Sequence, residues 1–377
     1  MRAWPIVLAL AQLSILSAAP AGATRPAVQQ AAPPVVIAHR GDSAHLPEHT
    51  LAAYARAIAH GADWVEPDLV STRDGVLVAR HENEIGDTTD VAAHPEYAAR
   101  RRRQQVDGLP LEGWFVEDFT LAELKRLRAR ERLPQLRGSA HDGTFDVPTL
   151  AEIIAVVAEE SRRHGRLVGL APELKHPGHF RAQGLGMEET LLATLDAHAH
   201  TRVAPVAIQS FEVGNLRALR RSLGARTNLR LVQLLGDPRD QPADQAAVDG
   251  GLRYGDMMHA DGLRAVAAYA DAIGPPLRAV VPLDAAGAPG AATPLVTEAH
   301  AAGLRVYPYT FRPENHFLPP ALRAGDDPRA RNEAGAIADI RHLLDAGIDG
   351  FFSDDVAVGR AAVDGWRSPA AATPAPR

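Results

Sequence analysis

The sequence predicts an α/β protein of the (β/α)8 TIM-barrel class, with a cap-like insertion after an early strand. Three observations carry that expectation. Short apolar, strand-like runs alternate with helical patterns along most of the 377 residues, which implies parallel strands joined by crossovers. Roughly eight such units fit the chain, and a barrel of this kind takes about 250 residues plus insertions. Several strand-like runs end in polar or ionisable groups, and barrel sites are assembled at C-terminal strand ends. A doubly wound open sheet is the alternative. It would offer a glycine-rich phosphate loop after its first strand, and AHRGDSAH (38–45) is not one.

The chain opens with MRAWPIVLALAQLSILSAAPAGATRP. Arg2 precedes an apolar run from Trp4 to Leu16, and Ala21-Gly22-Ala23 fits a small-residue cleavage site, so residues 1–23 are expected to be a signal peptide. The apolar run is shorter than the roughly 20 residues of a membrane span, and no cysteine follows it for a lipid anchor. Export to the periplasm, without a stable membrane anchor, is the expectation. Residues 24–34 form a Pro/Ala-rich linker before a barrel domain over 35–365, and 366–377 form a Pro/Ala-rich tail expected to be disordered.

Within the domain, VVIAH (35–39) reads as a strand and HTLAAYARAIAHG (49–61) as a helix stopped by Gly61. DWVEPDLVST (63–72) and VLVARH (76–81) read as strands split by the turn Arg73-Asp74-Gly75. Ile85 to Asp118 breaks the rhythm. It is polar, holds Trp114 and Phe115, and its run Arg100–Arg103 reads as a solvated helix face rather than an anion site. TLAELKRLRAR (120–130) and TLAEIIAVVAEESRRHG (149–165) read as amphipathic helices, each with Thr at the cap and Glu three residues on. Strand-like RLVGLAPELK, RVAPVAIQSF, LRLVQLL, LRVYPYTF and IDGFFSD then alternate with helical EETLLATLDAH, VGNLRALRRSLG, TPLVTEAHAAG and IADIRHLLDAG.

A hydrophobic fraction of 46% supports a sizeable core. The formal charge of -6 argues against a nucleic-acid partner, which needs a basic stripe. The lack of cysteine rules out disulfides and thiol chemistry.

On a strand, residues i and i+2 share a face. His39 therefore shares a face with Val35 and Ile37, Glu66 with Asp68, and Glu173 and Lys175 with Gly169 and Ala171, whose small size would leave space beneath them. His81 ends VLVARH, Gln209 ends VAIQ and Asp354 ends IDGFFSD. An inward Glu-x-Asp pair is costly unless a cation sits between the carboxylates. The all-oxygen set Glu66, Asp68 and Glu173 suits Ca²⁺, Mg²⁺ or Mn²⁺ rather than zinc or copper. His39 and His81 suit proton transfer near neutral pH. Arg40 and Lys175 add fixed positive charge. Together these groups describe a site for a phosphate ester.

HRG at 39–41, PEHT at 47–50, EPDL at 66–69, the His-acid pair at 81–82, PELK at 172–175 and Gln209-Ser210-Phe211 stand in one order. That ordered set resembles the glycerophosphodiester phosphodiesterases, most closely their exported, periplasmic type, from about Val35 to Val363. The resemblance implies a (β/α)8 barrel and hydrolysis of glycerophosphodiesters to sn-glycerol 3-phosphate and an alcohol, with either water or a neighbouring glycerol hydroxyl attacking. It implies one divalent cation, Ca²⁺ or else Mg²⁺, held by Glu66, Asp68 and Glu173. It casts His39 and His81 as the acid/base pair, Arg40 and Lys175 as phosphate contacts, Gln209 as a substrate contact and 85–118 as a cap over the glycerol pocket. One departure is Glu82, where the family usually has Asp. Of the other histidines in the opening motif, His45 lies in the loop and His49 starts the helix, with a surface or packing role expected. Two rival readings are cleavage of intact lipids, phospholipase D-like or sphingomyelinase-like, which would call for an apolar rim, and a non-catalytic binding protein on the same scaffold.

Overall fold

Among the described residues thirteen strands follow in order: β1 (Val35–His39), β2 (Trp64–Glu66), β3 (Asp68–Ser71), β4 (Leu77–Ala79), β5 (Arg102–Val106), β6 (Leu109–Gly113), β7 (Gly169–Leu170), β8 (Glu173–Leu174), β9 (Val206–Ser210), β10 (Leu229–Leu234), β11 (Ala272–Gly274), β12 (Arg305–Val306) and β13 (Gly350–Ser353). This computed structural model describes residues 33–366 except 225, 247 and 249. The expected signal peptide, all but the end of the linker, and nearly all of the tail lie outside the described residues.

Pro67 and Pro172 have no N–H to give a ladder. Each interrupts a stave, so β2 and β3 are two halves of one, and β7 and β8 of another. The staves follow each other in the order β12-β11-β10-β9-β7-β2-β1-β13, and β3 pairs with β8 as β2 does with β7. Every pair between neighbouring staves is parallel. The ends of the sheet meet through Asp349 N–H to Val306 O (3.0 Å), Phe352 N–H to Pro308 O (3.1 Å) and Phe311 N–H to Phe352 O (2.9 Å). The sheet is thus the expected TIM barrel.

The pleat sorts side chains into two cores. Ile37, Ala171, Ala207, Val232, Tyr307 and Phe352 fill the barrel interior. Val36, Ala38, Val65, Leu170 and Ile208 face outward onto the helices, including Leu51–Ala59 and Leu150–Arg163. The small residues of β7 do not leave open space. Gly169 makes room for the Trp64 indole, which a Cβ there would meet at 2.4 Å, and that indole packs edge-on against Tyr307. Among the described residues no helix is long and apolar enough to cross a membrane.

VLVARH holds the expected strand, and β4 runs antiparallel to β3 as a hairpin rather than as a stave. Two local expectations are corrected. Arg100–Arg103 is not a helix face, because Arg102 and Arg103 lie in the β5–β6 hairpin, where Arg102 pairs with Asp118 (2.7 Å) and Arg103 with Glu112 (2.5 Å). TLAELKRLRAR is helical only over Leu121–Leu124. Beyond it Arg128 and Ala129 make bridges to Asp146 and Thr89, so the chain extends instead of coiling.

Candidate active site

The ends of the first four staves bring the predicted acids into one row. In the register His39 stands opposite Glu66, Asp68 opposite Glu173, and Glu173 opposite Gln209. After β1 the chain turns sharply. Arg40 has φ +58° and Gly41 has φ +89°, and a Cβ on Gly41 would meet Ala53 at 2.8 Å. This turn aims the Arg40 backbone N–H at Glu66 Oε2 (2.8 Å). The antiparallel return of β4 has a role here too. Arg80 N–H bonds Asp68 O at 3.0 Å, which carries the next residue, His81, back to the mouth.

Glu66, Asp68 and Glu173 each offer an oxygen within 4.8 Å of the others, and all three are buried. Burial and the charges of Asp68 and Glu173 push Glu66 well above the usual carboxylate range. Burial, and then Asp68, raises Glu173 to about 8 even though Lys175 opposes the shift. Asp68 is held low against its burial by Lys175, His49, His81 and Arg40. Three carboxylates that cannot all ionise side by side fit a hard divalent cation. A second acidic group, Asp42, His45 and Asp355, fits none. Arg56 and Arg331 already pair with its acids, and Val356 and Val358 N–H groups cap them.

Both predicted histidines face one cavity of about 400 Å³. Each is tied at Nδ1 by a carboxylate, which leaves Nε2 as the ring's acceptor. His39 Nδ1–H donates to Asp354 Oδ1 (2.6 Å), and His81 Nδ1–H donates to Glu82. The longer acid at position 82 therefore still orients its histidine. Burial and the Arg40 charge push His39 down to about 4. Burial, Arg40 and Lys175 push His81 down to about 3. Both rings are thus neutral at pH 7.

Arg40, Glu66, Glu173 and Gln209 complete the polar side of the cavity, and Phe211, Leu234, Leu277, Tyr309, Phe317 and Phe352 form an apolar wall. Gln209 Oε1 is buried without a hydrogen-bond partner, and Arg40 Nε lies 3.3 Å from Asp68 Oδ2. Lys175 is placed differently from Arg40. It lines a neighbouring cavity and puts Nζ 2.8 Å from Glu173 and 3.4 Å from His81 Nε2.

No residue of 85–118 lines the main cavity. Phe115 is fully buried, and Trp114 Nε1 donates to Tyr97 O (2.8 Å). These aromatics hold the excursion together rather than closing over a ligand. The excursion instead leans on the loop after β8 through Asp107 and His176 (2.5 Å).

His49 corrects the expectation of a surface or packing role. It is fully buried, its Nε2 lies 2.9 Å from Asp68 Oδ2, and its Nδ1 lies 2.8 Å from the Tyr54 hydroxyl. A carboxylate only accepts, so Nε2 carries the proton and Nδ1 accepts from Tyr54. Further residues escaped the sequence reading. Glu48 bonds Arg40 NH1 (2.8 Å). Arg312 Nε and Arg137 NH2 grip Asp354 Oδ2 at 2.8 and 2.7 Å. The only hint of Glu48 was its place inside the PEHT motif.

Fold and mouth together define a class: a TIM barrel whose strand-end groups suit a phosphate ester. The model of the glycerophosphoryl diester phosphodiesterase family matches residues 39–358, and the chain belongs to that family. A glycerophosphodiester phosphodiesterase of Arabidopsis thaliana is 33% identical over 342 residues, covering 86% of this chain and 84% of that protein. One of Haemophilus influenzae is 30% identical over 295 residues, covering 74% and 79%. Among solved structures, an Oleispira antarctica phosphodiesterase in complex with the product sn-glycerol-3-phosphate superimposes with a TM-score of 0.55 at 21% identity, over 88% of this chain and 97% of that one.

Proposed function

We propose that this chain hydrolyses glycerophosphodiesters to sn-glycerol 3-phosphate and an alcohol, using His39 and His81 as its acid/base pair. One observation carries the mechanism. Two neutral histidines, each fixed at Nδ1 by a carboxylate, present Nε2 to the cavity that also holds the carboxylate trio. One Nε2 takes the proton of the attacking hydroxyl as its oxygen bonds to phosphorus. The other histidine, neutral in the free protein, takes up a proton from water once the anionic phosphate lies beside it, and gives that proton to the alcohol oxygen as the phosphorus–oxygen bond to it breaks. Arg40 adds fixed positive charge at the cavity wall for the phosphate oxygens, and Lys175 adds charge from behind Glu173. Glu66, Asp68 and Glu173 would hold Ca²⁺, or else Mg²⁺, which supplies charge stabilisation for the phosphoryl oxygens when bound. Gln209 offers its free acceptor to a substrate hydroxyl.

The wall from Phe211 to Phe352 suits the carbon face of a glycerol unit. The intact-lipid reading lacks its rim. The exposed large apolar side chains among the described residues are Leu109, Leu167, Val203, Val248, Leu252 and Leu283, and none lines the cavity. The non-catalytic reading requires loss of a site group, and none is lost. Export with cleavage after Ala23 completes the proposal. N-terminal sequencing of protein from the periplasm checks it. The activity is tested by a coupled glycerol 3-phosphate assay on a panel of glycerophosphodiesters, with and without chelator and with metals restored singly. Release of glycerol 3-phosphate from none of them would overturn the reading.

A further inference from the structure

A short segment that looks unremarkable in sequence, Glu131-Arg132-Leu133-Pro134-Gln135-Leu136-Arg137, lies against both halves of the site at once. Arg132 donates from Nε to Glu48 Oε2 (2.8 Å) and from NH2 to Glu48 Oε1 (2.6 Å), and the same NH2 lies 2.6 Å from Glu82 Oε2. Glu82 holds His81, and Glu48 holds Arg40. Arg137 donates to Asp354 Oδ2 (2.7 Å), to Glu314 Oε1 (2.8 Å) and to Ser43 O (2.8 Å). Asp354 holds His39.

We propose that Arg132 and Arg137 are positioning residues of the reaction. Arg132 fixes His81 through Glu82 and Arg40 through Glu48, and Arg137 fixes His39 through Asp354. The proposal rests on the reading of His39 and His81 as the acid/base pair.

The alternative is a loop that merely braces the barrel, and the packing speaks against it. The helical turn Pro134–Arg137 buries none of its residues, and Leu133 and Leu136 are only half-buried. A brace would be held by apolar burial. This segment is held by guanidinium forks, whose planar geometry fixes a carboxylate in angle as well as distance. It also seals a gap of about 20 Å³ between Arg40, Arg132, Arg137 and Asp354, the room of roughly one water. Three of the four carboxylates keep another cation when one arginine is removed, Arg40 for Glu48, Arg312 for Asp354 and Arg331 for Glu314, while half-buried Glu82 keeps its bond to His81. Loss of a fork should therefore loosen orientation more than stability.

The test compares Arg132→Met and Arg137→Met with His39→Ala and His81→Ala. Two substrates are used, a glycerophosphodiester with a poor alcohol leaving group and glycerol phosphoryl-nitrophenol with an acidic one. An acidic leaving group needs no general acid, so it rescues whichever histidine variant lost the acid. The proposal expects each arginine variant to lose roughly 10- to 100-fold in kcat, as small misplacements do. It expects Arg132→Met to share the leaving-group behaviour of His81→Ala, with a raised KM through Arg40. Arg137→Met should share that of His39→Ala, with KM little changed. Arg132→Lys and Arg137→Lys, which keep the charge and lose the fork, should recover only part of the loss, and they serve as the test variants if the Met forms melt early. An arginine variant whose leaving-group behaviour differs from that of its own histidine variant, or full recovery by Lys, would overturn the proposal. Near-parental rates in the two histidine variants would instead overturn the acid/base reading beneath it.

Discussion

Asp354→Asn is the sharpest single perturbation of this site. In the parent, Asp354 Oδ1 accepts from His39 Nδ1–H at 2.6 Å, while Oδ2 accepts from Arg137 and Arg312 at 2.7 and 2.8 Å. An amide has one accepting end and one donating end. Its NH2 cannot face two arginines, so its oxygen must, and the NH2 then points at His39 Nδ1. That forces Nδ1 to accept and moves the ring proton to Nε2, the atom that faces the cavity. A histidine in the wrong tautomer cannot serve as a base there. Comparable changes beside a catalytic histidine reach about 10⁴ in kcat, so a loss of roughly 10² to 10⁴ is expected, or about 2.7 to 5.4 kcal/mol. Stability should suffer less. Arg137 keeps Glu314 and Ser43 O, and Arg312 keeps its place over the Phe317 ring. The cost should stay below the roughly 3–5 kcal/mol of an orphaned buried charge. The assay pairs steady-state kcat with thermal melting, and nitrogen NMR of the His39 ring reports which nitrogen is protonated. A variant with parental kcat and an Nε2-protonated His39 would refute the reasoning.

Other outcomes follow from the same geometry. Chelation should abolish activity and lower the melting temperature, with Ca²⁺ or Mg²⁺ restoring both, because the empty trio is strained; full activity in verified metal-free protein would refute this. His49→Ala removes a donor from Asp68 and strands the buried Tyr54 hydroxyl, so metal affinity, read by titration, should weaken roughly 10- to 100-fold. His49→Asn, which tolerates the positive φ of +56° and keeps an N–H donor, should lose less. Burial pushes His39 and His81 down to about 4 and about 3 in the folded chain, against about 6.5 when unfolded. Below pH 6.5 the unfolded chain therefore binds more protons, so stability of the metal-loaded protein should fall as pH drops from about 6.5 toward 4. The slope is about 1.4 kcal/mol per pH unit for each histidine, and chemical denaturation of His39→Ala and His81→Ala should show it flattened.

How much of this was legible in the sequence depends on what each residue is attached to. His39, Glu66, Asp68 and Glu173 sit on staves, where an alternating pleat fixes direction from local sequence alone. The barrel itself was legible because eight units of strand and helix leave few closed arrangements. Its individual staves were less so. β11 is three residues and β12 is two, too short for any periodicity to register, and prolines split two others. His81 follows β4, a strand the sequence showed, but its antiparallel pairing with β3 was not legible from the residues alone.

Several pairings the sequence hid act at long chain separation through charge. Asp354 reaches His39 from 315 residues away, and Arg132 reaches Glu48 from 84. No periodicity encodes such pairs, and an arginine that ends in a buried carboxylate looks the same in sequence as one that ends in water. Buried charges of this kind are expensive to assemble and give little net stability. Their presence around two histidines therefore needs another reason than holding the barrel together. Orientation is that reason. Each ring is fixed at Nδ1 by an acid, and each acid is fixed in turn by a guanidinium. Relaxing either layer should cost rate before it costs fold, and for the inner layer Asp354→Asn measures that ordering directly.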